Sequence, residues 1–174
     1  MKVPVFVLAG LFAVPVAGAP AQGVNDAQIA SIVVTANQVD IDAGKLAASR
    51  STSAEVKAFA QLMITDHTAV NKSATDLVTR LKVTRQESPT SRSLKAGGET
   101  NLAHLKSQKG AAFDKAYVDH EVAYHQQVID ALDNTLIPGA TNDELRALLT
   151  KTRPAFVAHL DHAKRLQASL EKGN

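Results

Sequence analysis

The sequence predicts an all-α fold, a bundle of four long helices, and three observations support this prediction. Apolar residues recur at alternating steps of three and four along four segments, which places them on one face of a helix. Aromatic residues make up only 4% of the 174 residues, so alanine, leucine and valine must fill the core, as suits closely packed helices. No segment shows the strict alternation of a half-buried strand.

The first 21 residues are expected to be a signal peptide. Lys2 supplies a positive charge, an apolar run follows from Val3 to Val16, and Ala19-Pro20-Ala21 forms a small-x-small cleavage site. The run is too short to cross a bilayer comfortably, and no stop-transfer pattern follows it. We therefore expect export to the periplasm or cell envelope, with one helical domain over residues 22–174.

The first two helices are predicted over Asp26–Ser49 and Ser53–Val83. One acid, Asp40, interrupts the apolar stripe of the first helix, and one histidine, His67, interrupts the stripe of the second near its middle. The very short connection between the two makes them antiparallel neighbours.

Residues 84–99 are rich in Ser, Thr, Arg and Gly and contain Pro89, so we predict a loop there. Leu102 and Leu105 indicate a short helix within this long crossover from helix two to helix three. His104 has no apolar stripe around it and is expected at the surface.

The last two bundle helices are predicted from Ala111 to Asn134 and onward to about Lys172. Glu121 and His125 lie one turn apart on the buried stripe of helix three, whereas His120 is expected to be exposed.

Helix four carries His159 on its stripe and Pro154 within it, which should kink or divide the helix. Counted from the intervening turn, His125 and His159 are expected to differ in level by roughly 10 Å along the bundle.

Helix starts are also predicted from capping boxes, in which a hydroxyl and a carboxylate three residues apart bind each other's backbone amides. Thr52 with Glu55 is the predicted box of helix two, and Thr141 with Glu144 is that of helix four.

Each of the four helices thus places a polar group capable of binding metal on its buried stripe. A buried polar group costs a few kcal/mol unless it finds a partner, so four such groups are expected to meet one another. The candidate metal ligands are Asp40, His67, Glu121, His125 and His159, and Asp66 is a candidate partner of a ligand. Neutral imidazoles with a carboxylate suit a single zinc, iron or copper ion. The same residues could instead form a hydrogen-bonded core network, and both interpretations stay open at this point.

Composition and motifs exclude several other functions. The chain has no cysteine, so it has no thiolate metal site or cysteine nucleophile, and its basic residues are scattered over a net charge of only +2, which gives no footprint for nucleic acid. A carboxylate-bridged di-iron site needs Glu-x-x-His motifs, and none is present. No Gly-x-Ser-x-Gly elbow supports hydrolysis, and Gly97-Gly98 alone does not make a phosphate loop.

The region from Asn37 to Asn71 carries Lys45-Leu46-Ala47, Val56-Lys57-Ala58-Phe59-Ala60 and Asp66-His67-Thr68, and later come Phe113-Asp114 with Tyr117, then His125, then His159-Leu160. With these motifs the chain resembles, over residues 26–170, an exported bacterial family of unknown function, DUF4142, whose members are often labelled outer membrane proteins. The resemblance implies a ferritin-like four-helix fold and export, with an acid in the first helix that is usually glutamate where this chain has Asp40. It brings no established activity.

The leading hypothesis is a periplasmic protein that binds or senses a transition metal. The alternative is a non-enzymatic envelope protein, structural or stress-related, whose buried histidines serve packing and whose surface binds partners. Association with the outer membrane is possible in either case, no reaction is assigned, and no later segment is apolar enough to span a bilayer.

Overall fold

The computed structural model describes residues 23–172, which form helices and no strands. The helices are α1 (Asp26–Arg50), α2 (Ala54–Arg80), α3 (Pro89–Ser107), α4 (Gly110–Ala131), a π-helical turn (Leu132–Leu136), the three-residue α5 (Ile137–Gly139) and α6 (Asp143–Lys172). Helices α1, α2, α4 and α6 make the bundle, and α3 lies in the crossover between the second and third of them. The all-α bundle with a helical crossover is therefore confirmed. The expected signal peptide, residues 1–21, lies outside the described residues.

The start of α2 differs from the predicted capping box. Ser53 is the N-cap, and its hydroxyl accepts a hydrogen bond from the Val56 amide at 3.3 Å. The Thr52 hydroxyl donates instead to Asp114 Oδ2 on α4 at 2.9 Å, and the Ser53 amide donates to the same atom at 3.2 Å. The prediction was wrong because a tertiary contact engages Thr52, while Ser53, one residue later, caps the helix.

The crossover helix is longer than predicted, because residues 89–99 are helical rather than a loop. Ser88 and Ser91 form a reciprocal capping box, and Pro89 occupies the first helical position, where its missing N–H costs nothing. Helix α3 packs chiefly on α1 at a close approach, since a Cβ on Gly98 would lie 2.7 Å from Val39 Cγ2. Proline and serine thus mark a helix start here.

The start of α6 is also capped by a residue other than the predicted one. The Asn142 side chain accepts hydrogen bonds from the Glu144 and Leu145 amides, both at 3.0 Å. Thr141 donates from its hydroxyl and its amide to the carboxylate of Asp26, which ties the start of α1 to the start of α6. Helix α6 then continues through Pro154 without dividing.

The apolar core consists of two clusters with a polar level between them. One cluster lies toward the π-helical turn and includes Ile29, Leu77 and Leu149, and the other, toward the α3–α4 connection, includes Ala47, Phe59 and Tyr117. On α1, α2 and α4 the polar candidates fall between residues of the two clusters, so they share one level of the bundle. Within residues 23–172, no helix has both the length and the hydropathy that crossing a membrane requires.

Candidate metal centre

The five candidate ligands predicted from the sequence meet at the middle of the bundle. They come from all four bundle helices, and every one of them is buried: Asp40 on α1, His67 on α2, Glu121 and His125 on α4, and His159 on α6. Ligand atoms of His67, His125 and His159 lie within 4.8 Å of one another, as do those of Asp40, Glu121 and His125. The two groups share His125, so they form one continuous cluster.

The expected difference in level between His125 and His159 is wrong, because their ring centroids are only 5.5 Å apart. Helical structure continues past α4 as far as Gly139, and only residues 140–142 connect it to α6. His125 therefore lies 14 residues before the end of its helical column (139 − 125), and His159 lies 16 residues after the start of α6 (159 − 143). A difference of two residues corresponds to only about 3 Å of rise.

Asn37 orients the ring of His67. The Asn37 amide group donates to the Val33 carbonyl at 2.8 Å, which leaves its Oδ1 facing His67 Nδ1 at 2.7 Å. Since this oxygen can only accept, Nδ1 of His67 carries the proton and Nε2 presents a lone pair. That Nε2 has no hydrogen-bond partner among the described residues.

The other two imidazoles are oriented by the same principle. His125 Nδ1 donates to the backbone carbonyl of Glu121 at 3.0 Å, and His159 Nε2 donates to Asp66 Oδ2 at 2.9 Å. The remaining nitrogens, His125 Nε2 and His159 Nδ1, are buried and make no hydrogen bond within the described part of the chain. A histidine held through one nitrogen, with the lone pair of the other exposed to a shared centre, is the usual arrangement around a metal.

The Asp40 carboxylate lies between the lone pairs of two of these histidines. Its Oδ2 is 3.3 Å from His67 Nε2 and 3.6 Å from His125 Nε2. Both separations are longer than a usual hydrogen bond. Ligand atoms that share a tetrahedral ion at about 2.0–2.2 Å are about 3.3–3.6 Å from one another. The distance from Asp40 Oδ2 to each of these two nitrogens therefore fits a pair of ligands that share a cation.

Burial disfavours the charged form of Asp40, His67 and His159 in the absence of a cation. It lowers the pKa of His67, with a further contribution from the neighbouring His125 and His159, and it lowers the pKa of His159 despite the opposing Asp66. Burial raises the pKa of Asp40 well above its usual range, and Glu121 raises it further. His67 and His159 are consequently neutral and able to bind metal, whereas Asp40 must lose a proton when a cation binds.

Glu121 lies beside the nitrogen of His125 that carries the proton. Glu121 Oε2 is 3.4 Å from His125 Nδ1, whereas Asp40 lies near the other ring nitrogen, Nε2. Burial raises the pKa of Glu121 to about 8, an effect that the Tyr117 hydroxyl partly offsets. This position suits a residue that orients His125, although Glu121 is also close enough to Asp40 and His125 to share an ion with them.

The role of Asn37 beside His67 was not predicted, and the prediction that His120 is exposed was wrong. Asn37 lies three residues before Asp40, on the same face of α1, and that spacing was the signal that could have identified it. His120 is half-buried and stacks on Tyr124 at 5.4 Å between ring centroids, because α3 covers this side of α4. His104 is exposed, as predicted, and the predicted role of Asp66 beside a ligand fits its bond to His159.

Comparison with known proteins gives one match. The profile of a family described as a domain of unknown function (DUF4142) matches residues 12–166, most of the chain. No curated protein and no solved structure matches it. The family resemblance carried by the sequence motifs is therefore confirmed.

Proposed function

The chain belongs to the DUF4142 family, a domain of unknown function, and from this premise we propose that it is a protein that binds a single transition metal ion. The ligands are Asp40, His67, His125 and His159. Asn37, Asp66 and the backbone carbonyl of Glu121 hold the three imidazoles through their other nitrogens.

The observation that carries the proposal is the set of three buried imidazole nitrogens that lack a hydrogen-bond partner among the described residues, two of which lie beside the Asp40 carboxylate. A network without metal leaves most of them unsatisfied, because a protonated Asp40 can donate only one hydrogen bond. Each unpaired buried polar atom costs about 1–3 kcal/mol. A cation satisfies all of them together, which favours a metal site over the core network.

The ligand set indicates which ions to test. Three neutral imidazoles and one carboxylate are a common tetrahedral environment for zinc, and they also suit iron or copper. Binding of any of these ions releases the proton of Asp40, so affinity is expected to rise with pH.

The first test is the metal content of mature protein purified without an affinity tag, compared with His67→Ala. About one equivalent of one transition metal in the wild type, lost in the variant, supports the proposal. His104→Ala is the matched control, since His104 is exposed and lies on α3, which carries none of the candidate ligands, and it should retain the metal. Wild-type protein that is metal-free and also fails to bind added zinc, copper or iron would overturn the proposal.

We also propose that the protein acts in the periplasm or envelope. The support is the N-terminal charge, the apolar run and the small-x-small motif Ala19-Pro20-Ala21. Intact mass of the protein from a periplasmic fraction should give a chain that begins at Gln22. A chain that begins at Met1 and remains in the cytosolic fraction would contradict export.

A further inference from the structure

A second internal site adjoins the histidine cluster. It is a cavity of about 90 Å³ between α1, α4, the π-helical turn and α6, roofed by the first turns of α3. Its inner wall is formed by side chains such as Ile32, Leu132, Leu136, Leu149 and Phe156. Two of these, Leu132 and Leu136, belong to the π-helical turn, and such turns occur frequently at functional sites.

Three of the polar side chains around the cavity are already engaged with the protein itself, and the other two, Thr90 and Gln127, lie at its solvent-exposed mouth. The Asn37 amide bonds to Val33 and His67, the Tyr124 hydroxyl donates to the Ala36 carbonyl at 3.0 Å, and the Thr152 hydroxyl donates to carbonyls of its own helix. What they leave for a ligand is mainly C–H surface. A polar or charged molecule would lose its hydration there without compensation, so the cavity selects uncharged apolar molecules.

The cavity can be reached from solvent. Thr90 at the start of α3 and Gln127 on α4 are exposed, and both line the cavity. Together with Leu94 and Tyr124 they also line a wider surface groove between α3 and α4. A ligand can therefore enter between these two helices without unfolding the bundle.

Two side chains belong to both the cavity and the histidine cluster. Phe156 lines the cavity and contacts His67 edge-on, with 5.1 Å between ring centroids, and it lies 6.1 Å from His125 and 6.2 Å from His159. Asn37 lines the cavity and holds His67 Nδ1. An empty space beside Phe156 removes packing partners from one face of this ring. Filling the space should restrict the ring and, through it, the imidazoles.

We propose that this cavity binds a small uncharged apolar molecule, and that its occupancy tightens metal binding at the adjoining cluster through Phe156 and Asn37. The coupling rests on the proposed metal binding, whereas the cavity itself does not. Coupling between sites is reciprocal, so bound metal should tighten ligand binding by the same factor.

Xenon is the probe of the cavity, because an apolar engineered cavity of about 150 Å³ is known to stay dry and bind xenon or benzene. Metal-free mature protein is crystallised, pressurised with xenon and compared with Ala131→Leu, whose added carbons fill the space. Xenon beside Phe156 in the wild type, absent in Ala131→Leu, supports the site. Ala36→Leu is the second filling variant if the first does not fold, and Ala158→Leu, on an exposed face of α6, should keep the xenon.

The coupling is measured as the zinc dissociation constant with and without xenon. We expect xenon to lower this constant by about fivefold in the wild type, at the small end of typical coupling factors, and to leave it unchanged in Ala131→Leu. A wild type that binds no xenon overturns the site, and xenon that binds without changing zinc affinity overturns the coupling. Failure to bind zinc, copper and iron alike refutes the proposed function, while the xenon result on metal-free protein still decides the cavity.

Discussion

Asp66 offers the sharpest test of how the cluster is held, because it contacts a candidate ligand without being one. Its Oδ2 accepts a hydrogen bond from His159 Nε2 at 2.9 Å, which leaves Nδ1 of that ring for the metal. Replacing Asp66 with alanine frees the ring to rotate and lowers the basicity of its inner nitrogen. Loss of such a partner typically weakens metal binding 10–100-fold.

The expected magnitude lies at the low end of that range. The Asp66 side chain is 40% exposed, so water screens its charge and partly replaces its hydrogen bond. We expect about a tenfold rise in the zinc dissociation constant for Asp66→Ala, or about 1.4 kcal/mol, and a smaller rise for Asp66→Asn, which keeps an acceptor. The free energy of unfolding of the metal-free protein should change by no more than about 0.5 kcal/mol.

The assay is a competition for zinc between the mature protein and a chromophoric chelator. Asp42→Ala is the matched control, since the Asp42 side chain is 43% exposed and its partners, Gln38 and Lys45, lie at the surface of the same helix. Wild-type zinc affinity in Asp66→Ala, or an equal loss in Asp42→Ala, would refute the assigned role of Asp66.

Three further predictions concern stability. Zinc at a hundred times its dissociation constant should stabilise the metal-free protein by about 2.7 kcal/mol, which calorimetry should show as a rise of about 5–10 °C in Tm. An unchanged Tm with zinc, copper and iron alike would contradict metal binding. The pKa of Glu121 is about 8 in the folded protein and 4.5 in the unfolded chain, so the folded state binds this proton more tightly. The stability that this proton contributes is fully present below pH 4.5 and is lost as the pH rises toward 8. From about pH 6 to about pH 9 the loss should be roughly 3 kcal/mol larger in metal-free wild type than in Glu121→Gln by urea unfolding, because Asp40 keeps its own contribution in both proteins. The exposed Glu144→Gln is a control that keeps the wild-type profile. Gly98→Ala should lower the free energy of unfolding by about 1–3 kcal/mol, because its Cβ would lie 2.7 Å from Val39 Cγ2. Gly97→Ala, with open space around it, should leave the free energy of unfolding unchanged or raise it by up to about 1 kcal/mol. Equal effects of the two substitutions would argue against the close packing of α3 on α1.

The spacing of apolar residues was sufficient to predict the bundle helices, because a buried helical face needs an apolar residue every three or four positions. The first helix was placed within one residue at its C-terminal end. The end of α2 was predicted too late, at Val83 rather than Arg80, since apolar Leu81 and Val83 continue the pattern beyond the point where Lys82 takes a left-handed conformation. The spacing of apolar residues also does not distinguish a loop from a helix that packs chiefly on one neighbour, which is why the first half of α3 was predicted to be a loop.

The sequence by itself determined that the chain is all-helical and that each bundle helix carries a polar group on its buried stripe, because both properties follow from the order of residues along one helix. Only the tertiary structure decided that these groups meet at one level. The continuation of α4 through the π-helical turn sets the heights of His125 and His159, and no periodicity in the sequence encodes that length. Only the structure identified which nitrogen of each histidine is bonded, since Asn37 and Asp66 reach those nitrogens across helix interfaces. The cavity beside Phe156 likewise exists only where five helices and the π-helical turn pack, because empty space is a property of the assembled bundle and of no single helix.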